Sequence, residues 1–193
     1  MADFIFKRNE QKYLLSPEQA DIFLAAMEQY MQPDKFPTSS IRNIYYDTPD
    51  YRLIRCSLEK PVYKEKLRLR AYGDVTPDSR VFLEMKKKYR GTVYKRRIAL
   101  TEREATAYMA DPEKRLDDSQ IGRELDYFKQ FYGELFPALY LSYDRRSWRS
   151  KEQGLRITLD CNIRYRTTDV ALTAPPSGET LLQDGQYLAE IKS

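Results

Sequence analysis

The chain has 193 residues, 41% of them hydrophobic, with 16 Tyr and 8 Phe. That is enough apolar side chain for one domain's core, which excludes a disordered chain. The formal net charge is only +4, and the absence of histidine excludes His-based triads, His-containing zinc sites and a histidine general base.

The first strand is expected over 4–15. Its apolar opening, Phe4-Ile5-Phe6, is far too short for a signal peptide. Ser16-Pro17-Glu18-Gln19 supplies an N-cap, a proline at the first helical position and a capping-box glutamine. The helix it opens runs to about Met31, with Ile22, Phe23, Ala26, Met27 and Tyr30 at helical spacing. Residues 32–40, holding Pro33 and Pro37, read as a loop. A β-branched and aromatic strand over 41–47 is closed by Thr48-Pro49-Asp50.

Beyond an irregular segment through Cys56 come long strands near 62–72, 79–90 and 92–100, the last two joined at Arg90-Gly91, a hairpin signal. Thr101 and Glu104 form a second capping box before a short helix. Another helix spans 119–132 and ends near Gly133. Strands follow over 138–149 and 155–165, then a Pro175-Pro176 loop and a final strand over 187–192. Many long strands with few helices predict an α+β fold whose sheet curls or closes. The chain reads as a single domain over 1–193. No stretch approaches transmembrane length, and Cys56 and Cys161 lie far apart, so a cytoplasmic protein with packed thiols is expected.

Charge is distributed unevenly. Residues 62–72 hold four Lys/Arg and one acid; residues 79–97 hold eight cations against Glu84; residues 101–134 hold nine acids against five bases. In Tyr63-Lys64-Glu65-Lys66-Leu67-Arg68-Leu69-Arg70-Ala71-Tyr72 the strand period places Lys64, Lys66, Arg68 and Arg70 in one file. Cations two residues apart on a strand lie roughly 7 Å from each other. Each such pair repels by about 2.4 kcal/mol at an effective dielectric of 20. Three pairs approach a domain's whole stability, so this face must meet water, carboxylates or a bound polyanion.

Other strands repeat the pattern. Glu84, Lys86 and Lys88 share a face, as do Glu10 and Lys12, Lys95 and Arg97, Tyr143 and Arg145, Arg156 and Asp160, and Glu190 and Lys192. If the sheet closes, these faces converge on a lumen with about ten Lys and Arg, a strong site for a polyphosphate group. Glu10, Glu84 and Glu190 each lie two residues from a lysine. They read either as ion-pair partners or as ligands of a divalent cation bridging phosphate oxygens. Without histidine any metal is held by oxygen, which favours Mg2+ or Mn2+.

Eight short motifs occur in order: Glu10-Gln11-Lys12-Tyr13, Ile44-Tyr45-Tyr46-Asp47-Thr48, Lys66-Leu67-Arg68-Leu69-Arg70, Phe82-Leu83-Glu84-Met85-Lys86, Tyr94-Lys95-Arg96-Arg97, Tyr143-Asp144-Arg145-Arg146, Leu155-Arg156-Ile157-Thr158-Leu159-Asp160 and Glu190-Ile191-Lys192. With them the chain resembles the VTC domain, the catalytic domain of polyphosphate polymerases within the CYTH or triphosphate tunnel metalloenzyme superfamily. The resemblance implies a closed antiparallel eight-stranded β-barrel, a tunnel, with a few flanking helices.

It also implies phosphate contacts from Lys12, Lys66, Lys86, Arg156 and Lys192, with Tyr143 bonding a phosphate oxygen. Arg68, Arg70, Arg145 and Lys95 would be the catalytic cations. Glu190 is the first choice for the metal, with Glu84 and Glu10 behind it. Arg8, Glu10 and Lys12 replace the superfamily's E-x-E-x-K signature with a single-glutamate form, which resembles the polymerase branch. The chain ends at Ser193, directly after the motif of the last tunnel strand, where family members usually continue, so a domain shortened at its C-terminus is expected.

Three functions fit these residues. The first moves the γ-phosphoryl of ATP onto a polyphosphate chain. The second hydrolyses inorganic or nucleoside triphosphate in the same tunnel. The third is a non-catalytic module that binds polyphosphate or another polyanion. No specific nucleic acid is expected, because most of the tyrosines alternate onto the apolar side rather than beside the cations.

Overall fold

The computed structural model describes residues 10–152 and 154–193. The expected start of the first strand, over 4–9, and Arg8 lie outside the described residues. The described chain forms, in order, β1 (Glu10–Leu15), α1 (Pro17–Met27), β2 (Met31–Asp47), α2 (Arg52–Leu58), β3 (Tyr63–Tyr72), β4 (Arg80–Tyr89), β5 (Thr92–Thr101), α3 (Glu102–Ala110), α4 (Gln120–Tyr132), β6 (Phe136–Ser150), β7 (Arg156–Arg166), β8 (Glu179–Thr180) and β9 (Tyr187–Lys192).

Local signals explain most boundaries. The Ser16 hydroxyl accepts the Gln19 N–H while the Gln19 carboxamide accepts the Ser16 N–H, closing the first capping box. Thr101 and Glu104 do the same for α3. Gly133, at φ 70°, ends α4. Arg90 and Gly91 both have positive φ, and Tyr89 pairs with Thr92, which makes the β4–β5 connection a two-residue hairpin of the primed kind.

Three local expectations change. α1 ends at Met27 rather than near Met31, which already opens β2. Residues 32–40 are not a loop but the first half of β2; Pro33 and Pro37 are both exposed there, and a strand tolerates proline where no ladder donor is needed. The segment through Cys56 is the helix α2. Its free N–H groups are served from the preceding strand: Asp47 Oδ1 accepts from Thr48 and Leu53, and Oδ2 accepts from Ile54.

The strands form one antiparallel-rich sheet in the order β1-β9-β7-β6-β2-β3-β4-β5, with β8 beside β7. The path has the eight strands expected. β1 and β5 are its two ends, and no ladder joins them among the described residues, so the expected closure is not made by these hydrogen bonds. Both ends carry devices that let a strand edge stand alone. β1 is six residues long and starts Glu-Gln-Lys; β5 carries Lys95-Arg96-Arg97.

The chain divides into two compact units. The first comprises Arg42–Leu141 and Arg166–Pro175; the second comprises residues 10–41, Ser142–Tyr165 and Pro176–Ser193. In the first, alternation sends Leu67, Leu69, Ala71, Val81, Leu83 and Met85 to one face of β3 and β4. There they bury against Tyr108 of α3 and Leu125 and Phe128 of α4. Leu83 has no exposed surface, and burying such a side chain is worth about 1.5–3 kcal/mol. Lys129 locks the two helices: its buried ammonium donates to the carbonyls of Tyr108, Asp111 and Lys114 at 3.0, 2.8 and 2.7 Å. In the second unit a smaller core joins Met27, Met31 and Ile157 with Phe23, Leu24 and Trp148.

Candidate functional site

The face of β3, β4 and β5 turned away from that core carries the charge. The ladders place Lys66 opposite Lys86 and Lys86 opposite Lys95, so three lysines stand in one cross-strand row. The next row is Arg68, Glu84 and Arg97. Directly opposed side chains on a sheet have Cβ atoms about 5 Å apart, and like charges there repel. Across the three strands this face presents Lys64, Lys66, Arg68, Arg70, Arg80, Lys86, Lys88, Lys95 and Arg97, with Glu84 as its sole acid. On the opposite face Glu124 of α4 pairs with Lys87 and Arg96.

Glu84 is the hub of this face. Its carboxylate is 1% exposed; Oε2 accepts Arg68 Nε at 2.8 Å and lies 2.6 Å from Nη2, while Oε1 lies 2.7 Å from Lys95 Nζ. Burial pushes the Glu84 carboxyl up, but Arg68 and Lys95 outweigh it and hold the group below its ordinary range. Burial pushes the Lys95 ammonium down, and it ends below its ordinary value despite Glu84. Neutral acceptors on β2 steady the arginines: the Tyr45 hydroxyl accepts from Arg68 Nη1 at 3.3 Å, and Asn43 Oδ1 accepts from Arg70 Nε at 2.9 Å. Burial disfavours a Tyr45 phenolate, yet Arg68, Arg70 and Lys66 together bring its pKa below the ordinary value.

The second unit builds a different cluster. On β1, β9 and β7, Lys12, Glu190 and Thr158 form one row and Glu10, Lys192 and Arg156 the next. Glu190 is nearly buried, with Lys192 Nζ 2.8 Å from Oε2, Lys12 Nζ 3.7 Å from Oε1 and Arg145 Nη2 3.8 Å from Oε2. Arg145 grips Asp160 with a two-pronged fork, Nε to Oδ1 and Nη2 to Oδ2, both at 2.6 Å. Its guanidinium carbon lies 5.2 Å from the Tyr143 ring centre. Arg156 donates to Asp34 Oδ2 at 2.8 Å. Burial, followed by Arg145, Arg156 and Lys12, overcomes the pull of Glu10 and lowers the Lys192 pKa to about 8.

The predicted site residues therefore gather in two places. Arg68, Arg70, Lys66, Lys86, Lys95 and Glu84 share the first unit; Lys12, Tyr143, Arg145, Arg156, Lys192, Glu10 and Glu190 share the second. Acids are scarce only on the cationic face of β3–β5. In the second unit Lys12, Lys192, Arg156 and Arg145 meet Glu10, Glu190, Asp160 and Asp34. Sequence reasoning gave no role to Asn43, Tyr45, Asp34 or Asp160. Asp160 alone left a signal, since it alternates onto the face of Arg156.

Glu84 and Glu190 carry hard oxygens of the kind Mg2+ or Mn2+ takes, but each already faces a cation. No cluster of three or more potential Asp, Glu or Cys ligands occurs among the described residues. Either place would therefore offer a divalent cation fewer than three such protein ligands.

No helix among the described residues is long and apolar enough to cross a membrane. No curated protein matches the chain. Among solved structures it is similar to a candidate adenylate cyclase from Bacillus halodurans, at 17% identity and a TM-score of 0.59, over 97% of this chain and 82% of that one. It is also similar to a candidate adenylyl cyclase from Hippeastrum, described as having a dominant triphosphatase activity, at 20% identity and a TM-score of 0.56, over 96% of this chain and 78% of that one. These likenesses are of fold. The VTC domain profile matches residues 7–193, and the chain belongs to the VTC domain family.

Proposed function

We propose that this chain, acting as a single tunnel domain, is a metal-dependent phosphotransferase of the polyphosphate polymerase type. It moves the γ-phosphoryl of ATP onto the end of a polyphosphate chain. The observation that carries the reading is the β3–β5 face, with nine cations against one acid. A bound chain of phosphates relieves that repulsion, as water does less well.

The chemistry asks for little beyond what these side chains supply. A terminal phosphate oxygen of the acceptor attacks the γ-phosphorus, the bond to the β–γ bridging oxygen breaks, and ADP leaves with the electron pair. Such transfer depends on positioning and charge neutralisation more than on covalent help. Arg68 and Lys95 are held in place by Glu84, and Arg70 by Asn43, so their charges are fixed before substrate arrives. Lys66 and Lys86 bind the phosphates further along, and Lys12, Arg145, Arg156, Lys192 and Tyr143 are assigned to phosphate in the second unit. The acceptor is already anionic, so a chain without histidine loses nothing by lacking that base. Glu190 would hold the divalent ion, with Glu84 and Glu10 as lesser choices; when bound, Mn2+ or Mg2+ neutralises phosphate charge. A cytoplasmic setting, where ATP is at hand, is part of this reading.

Hydrolysis of triphosphate is the second reading, supported by the fold shared with the Hippeastrum protein. Incubation with ATP and Mn2+ separates the possibilities. A ladder of lengthening phosphate chains is expected. Free phosphate alone makes the protein a hydrolase, and tight polyphosphate binding without turnover makes it a binding module.

A further inference from the structure

The cationic face continues past the Glu84 hub. Along β3 and β4 the files run through Lys66 and Lys86 to Lys64 and Lys88, which stand directly opposite each other. Beyond them opens a cavity of about 480 Å3, bounded by Lys60, Lys64, Lys88 and Arg90, with Pro61 and Val62 as an apolar wall. Four of its lining residues are cations and none is an acid.

The backbone bears on this arrangement. Lys60 and Arg90 both sit at positive φ, 53° and 46°. Glycine and asparagine occupy such positions most readily, and the first place of this hairpin turn favours Asn or Asp. Long cationic side chains stand there instead, at an energetic cost of the kind found where a site requires it. The Arg90 N–H donates to the Val62 carbonyl at 3.0 Å, tying the hairpin tip to the segment that carries Lys60. Lys64 Nζ is anchored on the Ser57 carbonyl at 3.0 Å. Two cations are thus set on opposed turns, with a third fixed between them.

We propose that this pocket is a second anion site that takes the distal phosphates of a linear polyphosphate whose end lies at Arg68 and Lys95. Lys64 is four residues from Arg68 on the same strand, roughly 13 Å. A triphosphate held at the hub is too short to occupy both places, whereas a longer chain spans them and gains from linked binding. The pocket therefore sets a preference for chain length. The inference rests on the phosphate-binding reading of the Arg68 hub.

The test is a pair of binding measurements, with inorganic triphosphate and with long linear polyphosphate, on the wild-type chain and the double variant Lys60→Asn, Arg90→Asn. Asparagine accepts positive φ, so the variant keeps its turns, and an unchanged or raised thermal midpoint verifies this. The variant is expected to bind triphosphate as the wild type does and to lose about tenfold or more in affinity for the long chain. Unchanged long-chain affinity overturns the proposal, as does an equal loss for both ligands. Single-stranded RNA bound as tightly as polyphosphate, and equally weakened by the variant, overturns it too. A wild-type chain that ignores triphosphate, while its long-chain binding still needs Lys60 and Arg90, defeats the hub reading and leaves the pocket standing.

Discussion

Arg68 and Glu84 stand directly opposite each other on β3 and β4, and the arginine closes on the carboxylate with Nη2 2.6 Å from Oε2. The pair is unequal. The glutamate is 1% exposed and the arginine 21%, so the carboxylate is committed to the protein while the guanidinium keeps an open edge. Charge is thereby stored on a face that would otherwise repel itself apart.

Replacing Glu84 with glutamine should destabilise the fold by about 3 kcal/mol, the cost of stranding a partly buried cation. The Glu84 carboxyl titrates below its ordinary 4.5 in the folded chain, so it adds stability above pH 4.5 that is lost as pH falls through the folded value. The acid limb of stability should therefore flatten in the variant. Triphosphate should raise its melting temperature more than that of the wild type, because the anion replaces the missing charge. Thermal scans across pH, with and without triphosphate, decide the matter; identical curves for both proteins would show that Glu84 is no hub.

Lys192 gives a signature at the other end of the pH scale. With its folded pKa near 8 and an unfolded value near 10.4, the unfolded chain binds more protons between those limits. Stability from this group should rise with pH from about 8 to about 10, and the rise should vanish in Lys192→Met. If the residue binds phosphate, complex formation near pH 8 should take up a proton, visible as calorimetric heats that depend on the buffer. Buffer-independent heats at pH 8 would remove Lys192 from the phosphate contacts.

Arg145 is tested by keeping its charge. Lysine in its place cannot reproduce the fork onto Asp160, where both contacts are 2.6 Å. Stability should fall by about 1–2 kcal/mol. Turnover of ATP should fall by about a hundredfold if the guanidinium steadies the transferring phosphoryl group. A variant with wild-type turnover and a lowered melting temperature would make Arg145 a structural residue only.

Side-chain period carried most of what could be read from the residues alone. Alternation located β3, β4 and β5 and put Lys64, Lys66, Arg68 and Arg70 in one file, because both faces of those strands are chemically distinct. Capping boxes placed the starts of α1 and α3. The first half of β2 escaped because Pro33 and Pro37 argue against a strand unless its exposure is known. α2 escaped because its N-cap, Tyr51, is left-handed and offers no side-chain bond; Asp47, earlier in the chain, does that work.

Within the candidate site, Glu84 and Glu190 were legible from their nearness to lysines, whereas Asn43, Tyr45 and Asp34 were not. Their partners are set by cross-strand register and long-range approach, as with Asp34 and Arg156, which are 122 residues apart.

Lys129 gives the first unit an internal clock. Its ammonium spends all three protons on carbonyls at the junction of α3 and α4 and touches the face of Tyr108. An acylating reagent would modify the surface amines promptly and reach this one only after the helices part. The lag before Lys129 is labelled would then time their separation, without denaturant and in the intact chain.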